Sequence, residues 1–208
     1  MAGAERDPAI HAEALAAKRA LRRQMTDVRK DMTPAARQAA SDAMTLRLVE
    51  LPAYQSAQTI FAYASMADEV QLDGCIERAL ADGKTVAIPW ITKKGTMEAV
   101  KVTSLSHLEV GFYGIRNVPA AEREVLAPEA LDLVIVPGAA FTVEGARLGL
   151  GGGYYDRYLG LRAPQAARVA LTFDALVVPD GRIPMEAHDA WVDTIVTETR
   201  VLSCERRR

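Results

Sequence analysis

Leu21, Met25, Val28 and Met32 recur at steps of three and four between polar and charged positions. That spacing puts them on one stripe of an α-helix. Asp7-Pro8 supplies the start: a side chain that can cap, then a residue whose φ is preset for the first turn. The pattern predicts a helix from residue 7 to about Met32, preceded by a disordered tail over 1–6. Lys18, Arg22 and Arg29 fall along the border of the apolar stripe, while Arg19, Arg23 and Lys30 point further out. Thr33-Pro34 repeats the start signal and predicts a second helix to about Glu50, closed by Pro52.

Beyond Pro52 the period shortens. "TIFAYASM" (59–66) reads as a buried strand, "VQLDGCIERALADG" (70–83) as a helix ending on Gly83, and "KTVAIPWI" (84–91) as a second strand. "TMEAVKVTS" (96–104) is a third, set off by the Lys94-Gly95 turn, and 105–128 has no clear period and is expected to be irregular. "LDLVIVPG" (131–138) is apolar throughout its middle, as in a strand covered on both faces. "YYDRYLGLR" (154–162) is a predicted helix, and "ARVALTF" (167–173) and "DTIVTET" (193–199) are predicted strands. Strands alternating with helices predict an α/β fold. The expectation is a single-domain sandwich over 7–200, with a central, largely parallel β-sheet flanked by helices and 201–208 as a C-terminal tail.

Composition narrows the function classes. The chain has 208 residues, 50% hydrophobic and 25% charged, with a formal net charge of −2. Nothing in that balance attracts nucleic acid or an anionic membrane as a whole, so anion binding must come from local clusters. Cys75 and Cys204 are far apart in sequence and read as reduced and structural. There is no apolar run of about 20 residues, and the N-terminal segment carries acids rather than an apolar core. A cytoplasmic, monomeric protein is expected, without nucleic-acid or membrane partners.

The chemistry gathers in "RLGLGGGYYDRYL", from Arg147 to Leu159. A strand, a glycine-rich loop and a helix can surround a phosphate with backbone N–H groups and the positive helix end. About eight residues of loop separate this run from the preceding strand, unlike the dinucleotide fingerprint, and no Gly-Lys-Ser/Thr follows as in a P-loop. The loop alone therefore leaves two readings open, a phosphate cradle and a tight helix–sheet connection. Its flanks add chemistry. Arg147 and Arg157 bracket the glycines as possible phosphate clamps. Asp156, in the first helical turn, complements the helix dipole or holds Mg²⁺ beside phosphates.

These residues bring a family into view. "PGAAFTVEGARLGLGGGYYDRYL" resembles the signature of the 5-formyltetrahydrofolate cyclo-ligases, also called methenyltetrahydrofolate synthetases. "AAKRALRRQM" is similar to that family's N-terminal Lys-x-x-x-Arg helix, "FAYASMADEV" to its strand and acidic segment, and "MEAHDAWVDTIVTET" to its C-terminal block. The matching segments keep the family's order over about residues 18–199.

The resemblance implies an enzyme that uses ATP and Mg²⁺ to convert 5-formyltetrahydrofolate into 5,10-methenyltetrahydrofolate through an iminophosphate. It implies that Lys18 and Arg22 reach ATP phosphates, and that Arg147, Gly149, Gly151, Gly152, Gly153, Tyr154, Asp156 and Arg157 line the nucleotide site. Arg147 and Tyr154 are the residues expected to act in catalysis, and the glycines to let ATP approach the backbone. Asp156 and Asp193 match the metal-site aspartates, and Glu69 the folate-binding acid. Ala64, Met66, Tyr113 and Tyr155 are expected along the folate site. His188 and Asp189, which look like a catalytic pair, are assigned a structural role by their place in the C-terminal block. Leu150 and Asn117-Val118 depart from the family pattern.

Overall fold

The computed structural model describes residues 8–111 and 114–204. The predicted tail over 1–6, Asp7 and Tyr113 therefore lie outside the described residues. The first half comprises α1 (Pro8–Lys30), α2 (Pro34–Val49), α3 (Pro52–Ser56), β1 (Thr59–Phe61), α4 (Asp73–Ala81), β2 (Thr85–Lys93) and β3 (Thr96–Val102). Three short strands follow, β4 (Glu109–Val110), β5 (Arg116–Asn117) and β6 (Val125–Leu126). The rest is β7 (Leu133–Ile135), β8 (Ala140–Thr142), β9 (Arg147–Leu148), α5 (Tyr154–Leu161), β10 (Ala167–Leu171), β11 (Val177–Val178), β12 (Thr194–Val196) and β13 (Val201–Ser203).

The main sheet runs β13-β12-β10-β7-β1-β2-β3-β6. Its five central strands, β12 to β2, are mutually parallel. The pairings outside them, with β13, β3 and β6, are antiparallel. A smaller sheet, β11-β8-β9, carries the residues leading into the glycine loop. Because successive strand side chains point to opposite faces, the apolar runs split cleanly. Ile60, Val86, Ile88, Leu133, Ile135, Val169 and Leu171 pack on one face with Leu21 and Met25 of α1, Met44 and Leu48 of α2 and Ile76 of α4. Phe61, Ala87, Val134 and Ala170 pack on the other with Tyr158 and Leu159 of α5.

The expected architecture is present, with three corrections. Pro52 does not merely close α2; it opens α3, since proline suits a first helical turn. The apolar run at 59–66 is a strand only to Phe61, after which the chain leaves the sheet although Ala62, Tyr63 and Ala64 stay buried. The sheet also continues past residue 200. Val201–Ser203 pairs antiparallel with β12, and buried Cys204 donates its N–H to Asp193 O at 2.8 Å, so part of the expected tail is an edge strand.

Candidate functional site

Thr33 Oγ1 caps α2 by accepting from Ala36 N–H at 3.2 Å, and the apolar stripe of α1 holds that helix against the sheet. Its basic border then falls on the glycine loop. Arg22 Nε donates to Gly149 O at 2.7 Å. Burial lowers the pKa of this guanidinium, opposed by the carboxylates of Asp189 and Asp156. Lys18 lies one turn away on the same helical face and is only 5% exposed. A buried ammonium requires partners, and Lys18 Nζ has two: Asp189 Oδ2 at 2.6 Å and Glu186 Oε2 at 3.1 Å. His11 Nδ1 lies 2.8 Å from Glu186 Oε1. Lys18 first, and His11 after it, hold the Glu186 carboxyl below the ordinary range.

Within the loop, Gly151 and Gly153 have φ of +108° and +65°, a region that side chains disfavour. A Cβ on Gly152 would meet the Tyr154 ring at 2.7 Å, and one on Gly153 would meet Arg157 Nη1 at 2.9 Å. These two glycines thus make room for the protein's own side chains, not only for a ligand. Arg157 ties the loop to the β2–β3 turn by donating to Gly95 O at 2.8 Å and Gly152 O at 2.6 Å.

Arg147, at 4% exposure, is buried in β9. Its Nη2 is bonded to Asp156 Oδ1, its Nη1 donates to Pro137 O at 3.1 Å, and its Nε donates to Ala190 O at 3.4 Å. Asp156 Oδ1 also accepts from Ala190 N–H at 3.0 Å. Arg147 therefore acts on Asp156, fixing the carboxylate's position, while its own donors are engaged. Asp193 takes a different neighbour: its Oδ2 accepts from Arg168 N–H at 2.8 Å, at the amino end of β10. The segment 186–193 thus straps α1, α5, β9 and β10 together.

A second group gathers at the carboxyl ends of β1, β7 and β10. Arg29, Tyr63, Glu69, Val70, Pro137, Gly138, Leu171, Thr172, Phe173 and Leu176 line a cavity of about 10 Å³. Such a position, outside the carboxyl ends of parallel strands, is where open α/β sheets bind ligands. Glu69 is buried, and its Oε2 accepts from Met66 N–H at 2.9 Å. Burial raises its pKa above the ordinary carboxylate value, against the lowering effects of Met66 N–H and Arg29. Tyr63 is raised far above the normal phenol value, chiefly by burial and then by Glu69. Arg29 pairs with Asp68 at 2.7 Å beside the cavity. Pro137 belongs to this cleft and also accepts from Arg147, so one guanidinium touches both halves of the site.

The structure thus brings Lys18, Arg22, Arg147, Tyr154, Asp156 and Arg157 around the glycine loop. Glu69 stands in the adjoining cleft. Ala64 packs in the core, and Met66 contributes a backbone N–H to Glu69. Tyr155 stacks on Phe61 with ring centroids 6.1 Å apart, and its buried hydroxyl has no hydrogen-bond partner. Glu186 and Asp189 as the partners of Lys18, and Arg29, Tyr63 and Thr172 in the cleft, were not marked by the sequence. The acids of "MEAHD" were visible, but only folding shows that they meet a lysine about 170 residues earlier.

The donor set also bears on a metal. Asp156 Oδ1 is held by protein donors, which leaves Oδ2 as an oxygen suited to Mg²⁺, an ion commonly held by one or two carboxylates plus phosphate and water. Atoms of Glu186, His188 and Asp189 lie within 4.8 Å of one another, but both carboxylates are already engaged by the Lys18 ammonium.

The model of the 5-formyltetrahydrofolate cyclo-ligase family matches residues 14–198. The chain is 31% identical over 193 residues to the 5-formyltetrahydrofolate cyclo-ligase of Mus musculus, covering 88% of this chain and 94% of that one. It is 30% identical over 212 residues to the mitochondrial 5-formyltetrahydrofolate cyclo-ligase of Arabidopsis thaliana, covering 89% and 75%. The solved structure of Aquifex aeolicus 5,10-methenyltetrahydrofolate synthetase superposes with a TM-score of 0.79 at 31% identity, covering 92% of this chain and 94% of that one.

Proposed function

The chain belongs to the 5-formyltetrahydrofolate cyclo-ligase family, and from that premise we propose that it closes 5-formyltetrahydrofolate to 5,10-methenyltetrahydrofolate at the expense of ATP. The observation that carries this reading is the Arg22–Gly149 contact at 2.7 Å. It sets the Lys18–Arg22 face of α1 against the loop that opens α5, joining two cationic segments into one anion site.

In this mechanism the formyl oxygen attacks the γ-phosphorus and ADP leaves, giving an iminophosphate. N10 then attacks the activated carbon, the C–O bond breaks, and phosphate departs with the proton that N10 gives up. The unphosphorylated oxygen would be a poor leaving group. Such transfer depends mainly on positioning and charge stabilisation. Lys18, Arg22 and Arg157 supply positive charge to the phosphates by exchanging carboxylate and carbonyl partners for phosphate oxygens. Tyr154, at the head of α5, offers its hydroxyl to the transferring group. Arg147 keeps Asp156 in place. When bound, Mg²⁺ would neutralise charge on the phosphoryl oxygens, with Asp156 as ligand and Asp193 as the second carboxylate offered by the resemblance. In the cleft, ionised Glu69 accepts hydrogen bonds from the amino and N3 edge of the pterin, and Tyr155 and Tyr113 are proposed on its walls. Arg147 and Pro137 keep folate and nucleotide sites in register.

The test is the near-ultraviolet absorbance of methenyltetrahydrofolate, followed with 5-formyltetrahydrofolate and Mg²⁺, with and without ATP. Absorbance should grow only with ATP. Folded protein that gives no change with all three components would refute the reading.

A further inference from the structure

Four serine and threonine residues are buried among the described residues: Ser41, Thr142, Thr172 and Thr197. Three have hydroxyl partners. Ser41 Oγ donates to Arg37 O at 2.7 Å, Thr142 Oγ1 accepts from Ala146 N–H at 3.2 Å, and Thr197 Oγ1 accepts from Arg200 N–H at 3.0 Å. Thr172, 2% exposed, is the exception: its Oγ1 is buried and has no hydrogen-bond partner. It is also the one of the four that lines the Glu69 cavity. A buried hydroxyl left without a partner destabilises the fold that holds it.

We propose that Thr172 is a substrate-binding residue, whose hydroxyl hydrogen-bonds the ring system of the folate that Glu69 holds. This rests on the functional reading above. Thr172 follows the end of β10 and Glu69 lies beyond the end of β1, and β7 runs between these strands. Two strand spacings separate β10 from β1 by about 10 Å, a span that suits a fused bicyclic ring once the cavity of about 10 Å³ between them widens to admit it. Between them β7 leads into Pro137-Gly138, which offers no backbone N–H at the proline and no side chain at the glycine. Of the polar side chains lining the cleft, Arg29 is paired with Asp68, and Tyr63 and Glu69 stand on the β1 side, so on the β10 side polar recognition falls to Thr172. Glu69 accepts, and the Thr172 hydroxyl both donates and accepts, so a ring carbonyl or ring nitrogen beyond the reach of Glu69 finds its partner there.

The experiment measures binding of 5-formyltetrahydrofolate to the full chain by calorimetry, with the ATP-dependent absorbance assay and thermal melting alongside. Thr172→Val keeps the shape and removes the hydroxyl; Thr172→Ser restores it. The expected result for Thr172→Val is folate binding weaker by roughly 5- to 20-fold, an unchanged KM for ATP and a Tm no lower than that of the parent. Thr172→Ser should stay within about twofold of the parent. Unchanged folate affinity in Thr172→Val overturns the proposal. So does a lowered Tm with folate and ATP parameters worsening together and no rescue by serine, which marks a structural hydroxyl. If the parent binds folate without turning it over, the catalytic reading fails and Thr172 is still judged by the same affinity comparison. If the parent binds no folate, both fail.

Discussion

The glycine-loop corner and the cleft at the strand ends share Arg147 and Pro137, yet they treat polar groups differently. In the corner the charges are already paired. Lys18 lies between Glu186 and Asp189, Arg147 holds Asp156, and Arg157 donates to two carbonyls. In the cleft, Glu69 is held largely in spite of its burial, and the Thr172 hydroxyl is unpartnered. The corner is thus set by the protein's own counter-ions, which a polyanion must displace. The cleft retains unmet hydrogen-bonding capacity for a ligand to satisfy. Substitutions in the corner should therefore affect both folding and catalysis, whereas those in the cleft should separate them.

The largest effect is expected at Asp156. Asp156→Asn keeps the shape but removes the negative charge paired with Arg147, and kcat should fall on the order of 10³-fold while the circular dichroism spectrum is retained. An unchanged kcat would remove Asp156 from the phosphate chemistry. Next is Arg147→Met, which leaves a mostly buried carboxylate without its cation. Urea unfolding should show a loss of about 3 kcal/mol; a variant as stable as the parent would break the claim that the corner is held by its own ion pairs.

On the cleft side, Glu69→Gln should weaken folate binding about 10- to 100-fold while raising Tm at neutral pH. The sign follows from the raised pKa of Glu69. As pH rises from the ordinary carboxyl value of 4.5 through the raised folded value, the unfolded chain ionises first, so this group's stabilisation of the fold is lost over that window. Folate binding, which uses the ionised form, should strengthen across the same window. Melting curves of parent and Glu69→Gln against pH should diverge there; parallel curves would refute the buried-acid account. The smallest effect is expected at Tyr155. Removing its unpartnered hydroxyl in Tyr155→Phe should leave stability unchanged or higher by up to about 1 kcal/mol in urea unfolding. A clear loss would show that the hydroxyl is satisfied in the folded protein.

Much of the scaffold can be read locally. The stripe Leu21-Met25-Val28-Met32 and the Thr33-Pro34 cap specify α1 and α2, because a 3.6-residue period and a cap are properties of neighbouring residues. The parallel centre of the sheet follows from alternating strands and helices. Where the reading failed, the cause was tertiary. "FAYASM" stays apolar past the end of β1 because those residues are buried after leaving the sheet, and burial without pairing looks like a strand in sequence. Val201–Ser203 shows little strand pattern because an edge strand is defined by its partner. At the site, the cations and Asp156 were visible in their motifs. Their counter-ions were not, and neither was Thr172, whose significance is a missing partner in a folded cleft.

The strap over 186–193 also fixes an order in time. Lys18 is made about 170 residues before Glu186 and Asp189. A chain growing on the ribosome therefore carries a lysine without its acids, and an Asp156 without the Ala190 amide, until residues 186–190 have been made. The scaffold of α1, α2 and the first strands can gather earlier through nearby contacts, whereas the glycine-loop corner closes only when the strap over 186–193 is in place.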